Sequence, residues 1–158
     1  MDKFWWQLCV TKVKTRGIFY MSEFVKNWLT AWNDHDTDKL LGLYENDFGS
    51  TDFVSESRRV SDTGSFIHLG LQMFTAFPDL HFNVRQTVEE NEKVAILWMA
   101  RGTHQGRYNN IPPTGKKMQI SGTSFFELKN GKITSAVFLW DGADVLRQMG
   151  LLPELQHS

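Results

Sequence analysis

Asp141 is the residue whose predicted surroundings most favour proton-transfer chemistry. The dipeptide Asn130-Gly131 predicts a two-residue hairpin turn. Without a bulge, the resulting register places Asp141 opposite Ile120, on the same sheet face as Val137 and Leu139. Burial among apolar groups disfavours the charged form of a carboxylate and raises its pKa, so such a group can accept and return a proton. Asp141 also directly precedes a predicted helix, where an Asp commonly caps the first turn, and the sequence leaves both roles open.

His104 and Arg101 are further candidates for polar chemistry, near the end of a predicted strand. His104 could donate a hydrogen bond to a substrate oxygen or relay a proton, or it could be a satisfied side chain at the pocket rim. Arg101 could pair with a carboxylate or an anionic ligand, or it could lie solvated at the sheet edge. The other histidines have no spacing typical of a metal site, and the single cysteine, Cys9, cannot build a zinc site alone. We therefore predict no metal site.

Aromatic side chains are numerous enough to line a ligand pocket. The chain has 12 Phe and 6 Trp, which need a deep core, a lined cavity or an apolar interface. We expect an apolar pocket on the order of several hundred Å³ that takes an apolar or polycyclic small molecule. A plain core position is the alternative for several of the predicted wall residues, which are Trp28, Trp32, Tyr44, Trp98, Ile120, Phe126, Val137 and Leu139.

Three helices followed by antiparallel strands are predicted to position these side chains. Apolar spacing predicts helices over 22–33, from 36 or 37 to near 46, and from 61–64 to Phe77, before Pro78. Ser22 can cap the first of these helices, and Asp36 or Thr37 can cap the second. Alternation predicts strands over 81–89, 94–103, 117–128 and 133–141, with a short helix over 143–149. Residues 48–53 are predicted to be a short extended piece and 55–62 a polar loop. This order is typical of an α+β fold.

The second face of the last two strands is also rich in apolar residues. Phe125, Phe138 and Trp140 share it in the bulge-free register. A sheet with one face in solvent would carry polar residues there. We therefore expect this convex face to be covered by a second subunit in a homodimer.

Charge and composition limit the partners and the compartment. The 158 residues fit one domain, and 17 basic against 18 acidic residues give a net charge of -1 without a basic stripe, which argues against nucleic-acid binding. No segment approaches the roughly 20 apolar residues of a membrane span. One cysteine excludes an internal disulfide, so we expect a cytoplasmic protein. Residues 1–21 are predicted to be an extension, poorly ordered or docked, before a single domain over 22–158.

Five short motifs follow one another along residues 22–153. They are Trp28-x-x-x-Trp32-Asn33-x-His35-Asp36, Phe77-Pro78-Asp79-Leu80, Gly102–Gly106 with Pro112–Lys116, Asn130-Gly131-Lys132-Ile133, and Trp140–Gly150. In this order they resemble the SnoaL-like polyketide cyclases, or ester cyclases, of the nuclear-transport-factor-like superfamily that also contains the ketosteroid isomerases.

The resemblance implies a curved sheet that forms a cone closed by helices, a homodimer, and chemistry without a cofactor. It also implies that Asp141 is the general acid and base of an intramolecular aldol closure. The sequence departs from the family after the second helix, where Gly49-Ser50-Thr51-Asp52 replaces an expected Asn or His. Asp52 could be a second carboxylate of the pocket or could face solvent.

Two classes of function remain open at this point. In the first, Asp141 removes a proton next to a carbonyl, a neutral donor such as His104 or Tyr44 stabilises the enolate, and cyclisation or isomerisation follows. In the second, the cone binds an apolar ligand without catalysis. Epoxide hydrolysis and dehydration are further reactions of the same fold.

Overall fold

The computed structural model describes residues 21–54 and 58–153. Its first helix is α1, Glu23–Asn33. Ser22 caps α1 as predicted, because its Oγ accepts a hydrogen bond from the Val25 N–H at 3.3 Å. The predicted extension over 1–21 lies outside the described residues except for Met21, which packs against the core.

Two more helices lie before the last four strands of the chain. Helix α2, Thr37–Gly42, is capped by Asp36, one of the two predicted caps, and it ends before the predicted boundary near Asn46. Helix α3, Thr63–Ala76, is capped by Asp62, whose Oδ1 accepts from the Ser65 N–H at 2.8 Å. The chain leaves α3 at Phe77, directly before Pro78, as the sequence predicts.

The sheet is curved and contains six strands, which are β1 Ser50–Phe53, β2 Arg58–Val60, β3 His81–Glu90, β4 Lys93–Thr103, β5 Lys117–Lys129 and β6 Lys132–Trp140. Their order in the sheet is β2-β1-β6-β5-β4-β3, and the sheet is not closed. All neighbouring strands are antiparallel except the parallel pair β1 and β6. The predicted α+β class with a curved, mostly antiparallel sheet is confirmed. Helix α4, Gly142–Gln148, follows β6.

The segment 55–62 is not the simple loop that its polarity predicted. Its residues 58–60 form strand β2, which pairs antiparallel with β1. Strand β1 in turn runs parallel to β6. Strands β1 and β2 therefore extend the sheet beyond β6.

A β-bulge near the Asn130-Gly131 turn overturns the predicted register. Leu128 pairs with Ile133, but Glu127 pairs with Ser135, so Thr134 is an extra residue in β6. Because side chains alternate along a strand, one extra residue exchanges the two faces beyond it. The prediction that Ile120 faces Asp141, with Val137 and Leu139 on the inner side, is therefore wrong.

The concave face of the sheet packs against the helices and carries the core. Strands β4 and β5 alternate regularly, with Ile96, Trp98 and Phe126 among the inward residues. In β6 the inward residues are Ala136 and Phe138, which are 1% and 5% exposed. The predicted convex-face position of Phe138 is wrong, and Trp140, half-buried, also packs against the core. Phe125 does lie on the outer face and is 51% exposed.

Candidate functional site

A partly open apolar cavity lies between the helices and the concave face of the sheet. Its volume is about 60 Å³. Side chains from α1, α3, α4, the Phe77–Leu80 connection and all strands except β2 reach it, and nearly all of them are apolar. The lining residues are Trp32, Phe53, Leu69, Met73, Phe77, Leu80, Phe82, Trp98, Ala100, Tyr108, Met118, Ile120, Phe138, Trp140 and Val145.

Three of the predicted wall residues line this cavity, namely Trp32, Trp98 and Ile120. Trp28, Tyr44 and Phe126 belong to the core but not to the lining, which is the alternative that the sequence left open. The cavity is also far smaller than the several hundred Å³ expected of a drug-sized site, because aromatic rings fill most of the cone. The predicted size is therefore wrong for this cavity.

Other predicted wall residues lie elsewhere. The Asp52 carboxylate binds Arg59 through two hydrogen bonds of 2.6 and 3.2 Å at the β1–β2 edge. Arg101 is exposed and does not line the cavity. Val137 contributes to a shallow depression on the outer face beside Phe125. For these residues, the predicted placement in the cavity is wrong.

Asp141 caps helix α4 and does not line the cavity. Its Oδ1 accepts a hydrogen bond from the Asp144 N–H at 2.9 Å, and its Oδ2 lies 3.4 Å from an Arg147 guanidinium nitrogen. The Asp141 side chain is 63% exposed. The apolar surroundings predicted from the register are thus absent, and the helix-cap geometry is present.

Asp141 does line an open groove of about 490 Å³ on the outside of the cavity wall. Three residues, Tyr108, Trp140 and Val145, belong to both the groove and the cavity. The groove therefore adjoins the cavity and offers the space that the cavity lacks. Its lining residues are Tyr108, Asn109, Ile111, Leu139, Trp140, Asp141, Gly142, Ala143, Val145 and Leu146.

Local structure holds both sides of the groove in place. The Tyr108–Ile111 turn is closed by reciprocal backbone hydrogen bonds of 3.0 and 2.9 Å. Helix α4 is fixed to β5 by the Gln148 amide, which accepts from the Gln119 N–H at 2.8 Å and donates to the Gln119 carbonyl at 2.9 Å. These contacts set the position of Asp141 at the start of α4.

His104 is fully buried and serves the loop that follows β4. Its Nδ1 accepts a hydrogen bond from the Thr114 N–H at 3.2 Å and lies 3.0 Å from the Thr114 hydroxyl. Because Nδ1 accepts, the proton of the neutral ring is on Nε2, and Nε2 has no partner among the described residues. Burial lowers the pKa of His104. The ring packs against Phe77 but does not line the cavity.

Two other buried polar pairs stabilise the walls. The Trp98 indole N–H donates to the Ser124 hydroxyl at 2.9 Å. The Thr51 hydroxyl donates to the Tyr44 oxygen at 3.3 Å, and burial raises the pKa of Tyr44 well above its usual value. Tyr44 does not line the cavity, so its position gives no support to the donor role predicted for it.

Sequence reasoning missed the groove and several lining residues. Tyr108 sits in a loop without a periodic pattern, and Val145 was predicted only as part of a helix. Met118 is in phase with Ile120 on β5, so the alternation of that strand could have placed it on the inner face.

Residues 21–54 and 58–153 contain no group of three His, Cys, Asp or Glu side chains that could hold a metal ion. Within the same residues, no helix is long and apolar enough to cross a membrane.

A family model of SnoaL-like polyketide cyclases matches residues 22–149, which is most of the chain. This chain belongs to the SnoaL-like polyketide cyclase family. The resemblance expected from the five sequence motifs is thereby confirmed. A search of curated proteins found no match.

Solved structures show the same fold at low identity. AclR from Streptomyces galilaeus, a proposed hydroxylase, is 24% identical, with 84% of this chain and 82% of AclR covered and a TM-score of 0.74. IdmH from Streptomyces antibioticus, a proposed polyketide cyclase, is 21% identical, with 80% and 96% covered and a TM-score of 0.69. A ketosteroid-isomerase-like protein from Catenulispora acidiphila, solved with trimethylamine, is 16% identical, with 84% and 96% covered and a TM-score of 0.73.

Proposed function

We propose that this family member is a cofactor-independent enzyme that moves a proton next to a carbonyl group, with Asp141 as the general acid and base, in a cyclisation or isomerisation of an apolar substrate. The observation that supports the proposal is the shared wall of Tyr108, Trp140 and Val145. These residues place the cavity and the Asp141 groove side by side, and the proposal is that one ligand occupies both.

The two spaces suit different parts of such a substrate. The cavity, about 60 Å³, takes a small apolar end of the molecule. The groove, about 490 Å³, takes a larger body and brings it beside the Asp141 carboxylate. A polycyclic ligand therefore binds mainly in the groove, which revises the expectation that the cone itself contains it.

The cap geometry of Asp141 leaves its carboxylate available at low cost. Its hydrogen bond to the Asp144 N–H is a helix cap, worth about 1 kcal/mol. Its contact with Arg147 involves a largely exposed carboxylate, so solvent screening makes that pair weak. A substrate that positions an acidic C–H against the groove can compete with both contacts.

An enolate formed in the groove requires a hydrogen-bond donor for its oxygen. His104 does not line either space, so the donor role predicted for it has no support from its position. Tyr108 lines both spaces and carries a phenolic O–H. We propose Tyr108 as this donor.

Exchange of ketone α-protons in D2O, followed by NMR, tests the proposal without knowledge of the natural substrate. We expect the protein to accelerate exchange in at least one member of a series from butanone to 1-tetralone. Asp141→Asn should reduce the enzymatic rate about a hundredfold or more, while the fold is kept because Asn is also a good helix cap. Asp144→Asn is the matched control, since Asp144 is on the same helix beside Arg147 but does not line the groove.

The two variants distinguish a catalytic role of Asp141 from a general effect on helix α4. Equal exchange by the wild type and Asp141→Asn would remove Asp141 from the mechanism. Loss of exchange in Asp144→Asn as well would point to a general effect on α4.

A non-catalytic ligand-binding protein is the second candidate. The specific observation in its favour is the exposed, capped and ion-paired state of the Asp141 carboxylate. Saturable binding of the ketones without any acceleration of exchange would favour this function.

A further inference from the structure

The indole N–H of Trp32 is an unpaired hydrogen-bond donor in a buried position. Trp32 is 6% exposed and lines the cavity. Its Nε1 atom is shielded from solvent and has no hydrogen-bond partner among the described residues. A buried donor without an acceptor is unfavourable, and such groups are rare enough to require an explanation.

Several aromatic side chains surround the Trp32 indole. Its ring lies 5.2 Å from the Phe82 ring, 5.7 Å from Phe74 and 6.5 Å from Phe138, measured between centroids. Trp28, the next aromatic residue on α1, lies 6.3 Å away. Trp98, which also lines the cavity, already donates to Ser124. The cavity, which Trp32 lines, is the space from which a ligand can supply a full acceptor.

The lining decides what kind of acceptor fits. A buried water makes about three hydrogen bonds and needs a polar site. The cavity is lined almost wholly by apolar side chains, and Trp32 is the lining residue with an unpaired buried donor. An apolar ligand whose oxygen accepts hydrogen bonds but donates none needs only one donor from the cavity. Such a ligand fits the Trp32 N–H and its apolar surroundings better than a water molecule does.

We infer that Trp32 is a specificity-determining residue whose N–H binds the acceptor oxygen of a small apolar group in the cavity. The group is a ketone, an ester carbonyl or an ether or epoxide oxygen. This inference rests on the proposed function in assuming that the cavity takes one end of the ligand, but it does not require Asp141 to be catalytic. It assigns the cavity to a second oxygen of the substrate, distinct from the reacting carbonyl in the groove.

His104 carries the other buried side-chain nitrogen without a hydrogen-bond partner in the described residues, and it has no part in this site. Its ring contacts Phe77, which does line the cavity, but His104 itself does not.

The test compares two small molecules of nearly the same shape, butanone and 2-methylbut-1-ene, in which a carbonyl oxygen is replaced by a methylene group. Each is titrated into the full chain while the assigned Trp32 indole N–H resonance is followed by NMR. Butanone should move this resonance downfield in a saturable way, because the N–H gains an acceptor. The alkene should bind without the downfield shift.

Two Trp→Phe variants give an independent measure. The ratio of the dissociation constants, butanone over alkene, should rise about tenfold in Trp32→Phe, as loss of one hydrogen bond to a buried donor implies. It should stay unchanged in Trp28→Phe, the matched control, because Trp28 is equally buried on α1 but does not line the cavity. If Trp32→Phe does not fold, the wild-type resonance decides alone.

The inference would be overturned if butanone did not bind, or if it bound without moving the Trp32 resonance. It would also be overturned if butanone and the alkene moved that resonance in the same way. The ketone-exchange assay distinguishes this failure from failure of the proposed function. Exchange that depends on Asp141 without a Trp32 shift refutes only the role of Trp32, whereas a Trp32 shift without exchange refutes only the catalysis.

Discussion

Burial lowers the pKa of His104, and the hydrogen bond that Nδ1 accepts from Thr114 favours the same neutral form. A histidine of the unfolded chain takes up a proton near about pH 6.5. Between that pKa and the lower pKa in the folded state, the unfolded chain binds more protons than the native one, so stability falls as the pH falls. Above the unfolded pKa, this residue has no effect on the pH dependence.

We therefore predict that the free energy of unfolding decreases from pH 7.5 to pH 5 by up to about 1.4 kcal/mol per pH unit from this group. His104→Asn should flatten this slope, because its side-chain oxygen can accept the Thr114 N–H without titrating. Urea unfolding at several pH values measures it. His68→Gln, which changes an exposed histidine, should keep the slope; an unchanged slope in His104→Asn would contradict the prediction.

The role of a single residue was predictable where a residue type that favours that role stands at the matching position of a predicted element. Ser22 was predicted as a cap, Asp36 was one of two predicted caps, and both cap their helices in the structure. Asp141 has cap and catalyst as alternatives in the sequence, and the structure shows the cap contact. The unpaired state of Trp32 could not be predicted, because it depends on which side chains surround the indole in three dimensions.

At the scale of elements, one residue of β6 accounts for the main error. The turn at Asn130-Gly131 was predictable from its sequence, and both of its residues have positive φ, 51° and 77°. The bulge at Thr134 was not, because both faces of the following strand are apolar. Ala136 and Phe138 on one face and Val137 and Leu139 on the other give no contrast in polarity that would fix the register.

Gly122 shows how close packing between β4 and β5 shapes the cavity. A Cβ at this position would lie 2.3 Å from the Trp98 ring, which lines the cavity. We predict that Gly122→Ala destabilises the protein by about 1–3 kcal/mol, because Trp98 must move and strain its bond to Ser124. Thermal or urea unfolding measures the change.

Gly42→Ala is the matched control for this substitution. A Cβ there has no atom within 4 Å, and Gly42 is in helix α2. Alanine should be neutral or stabilise by up to about 1 kcal/mol. Equal stability of Gly122→Ala and the wild type would show that the indole can move without cost.

At the scale of the molecule, the outer face of the sheet is a continuous apolar surface. The register aligns Val88, Ala95, Phe125 and Val137 across four strands. In a neighbouring row, Leu97 and Leu139 lie on either side of Thr123, and they are 44% and 43% exposed. Faces of this kind mark interaction sites, so we propose this corrected set of residues as the homodimer interface.

Phe125→Asp tests the interface. Burial of an unpaired charge costs several kcal/mol, so the variant should weaken the dimer by about a hundredfold or more. Sedimentation at micromolar concentration measures it. Leu71→Asp, at a residue equally exposed on α3, should leave the mass of the wild type unchanged. A wild-type protein that sediments as a monomer would contradict the proposal.

We propose that one ligand spans the cavity and the adjoining Asp141 groove. The most direct measurement is an NMR titration of the assigned protein with 1-tetralone. We predict saturable shifts of the Trp140 indole and Val145 methyl resonances, which belong to both spaces, with a common dissociation constant. Shifts confined to the outer sheet face around Phe125, or no saturable shift at Trp140 and Val145, would contradict the account.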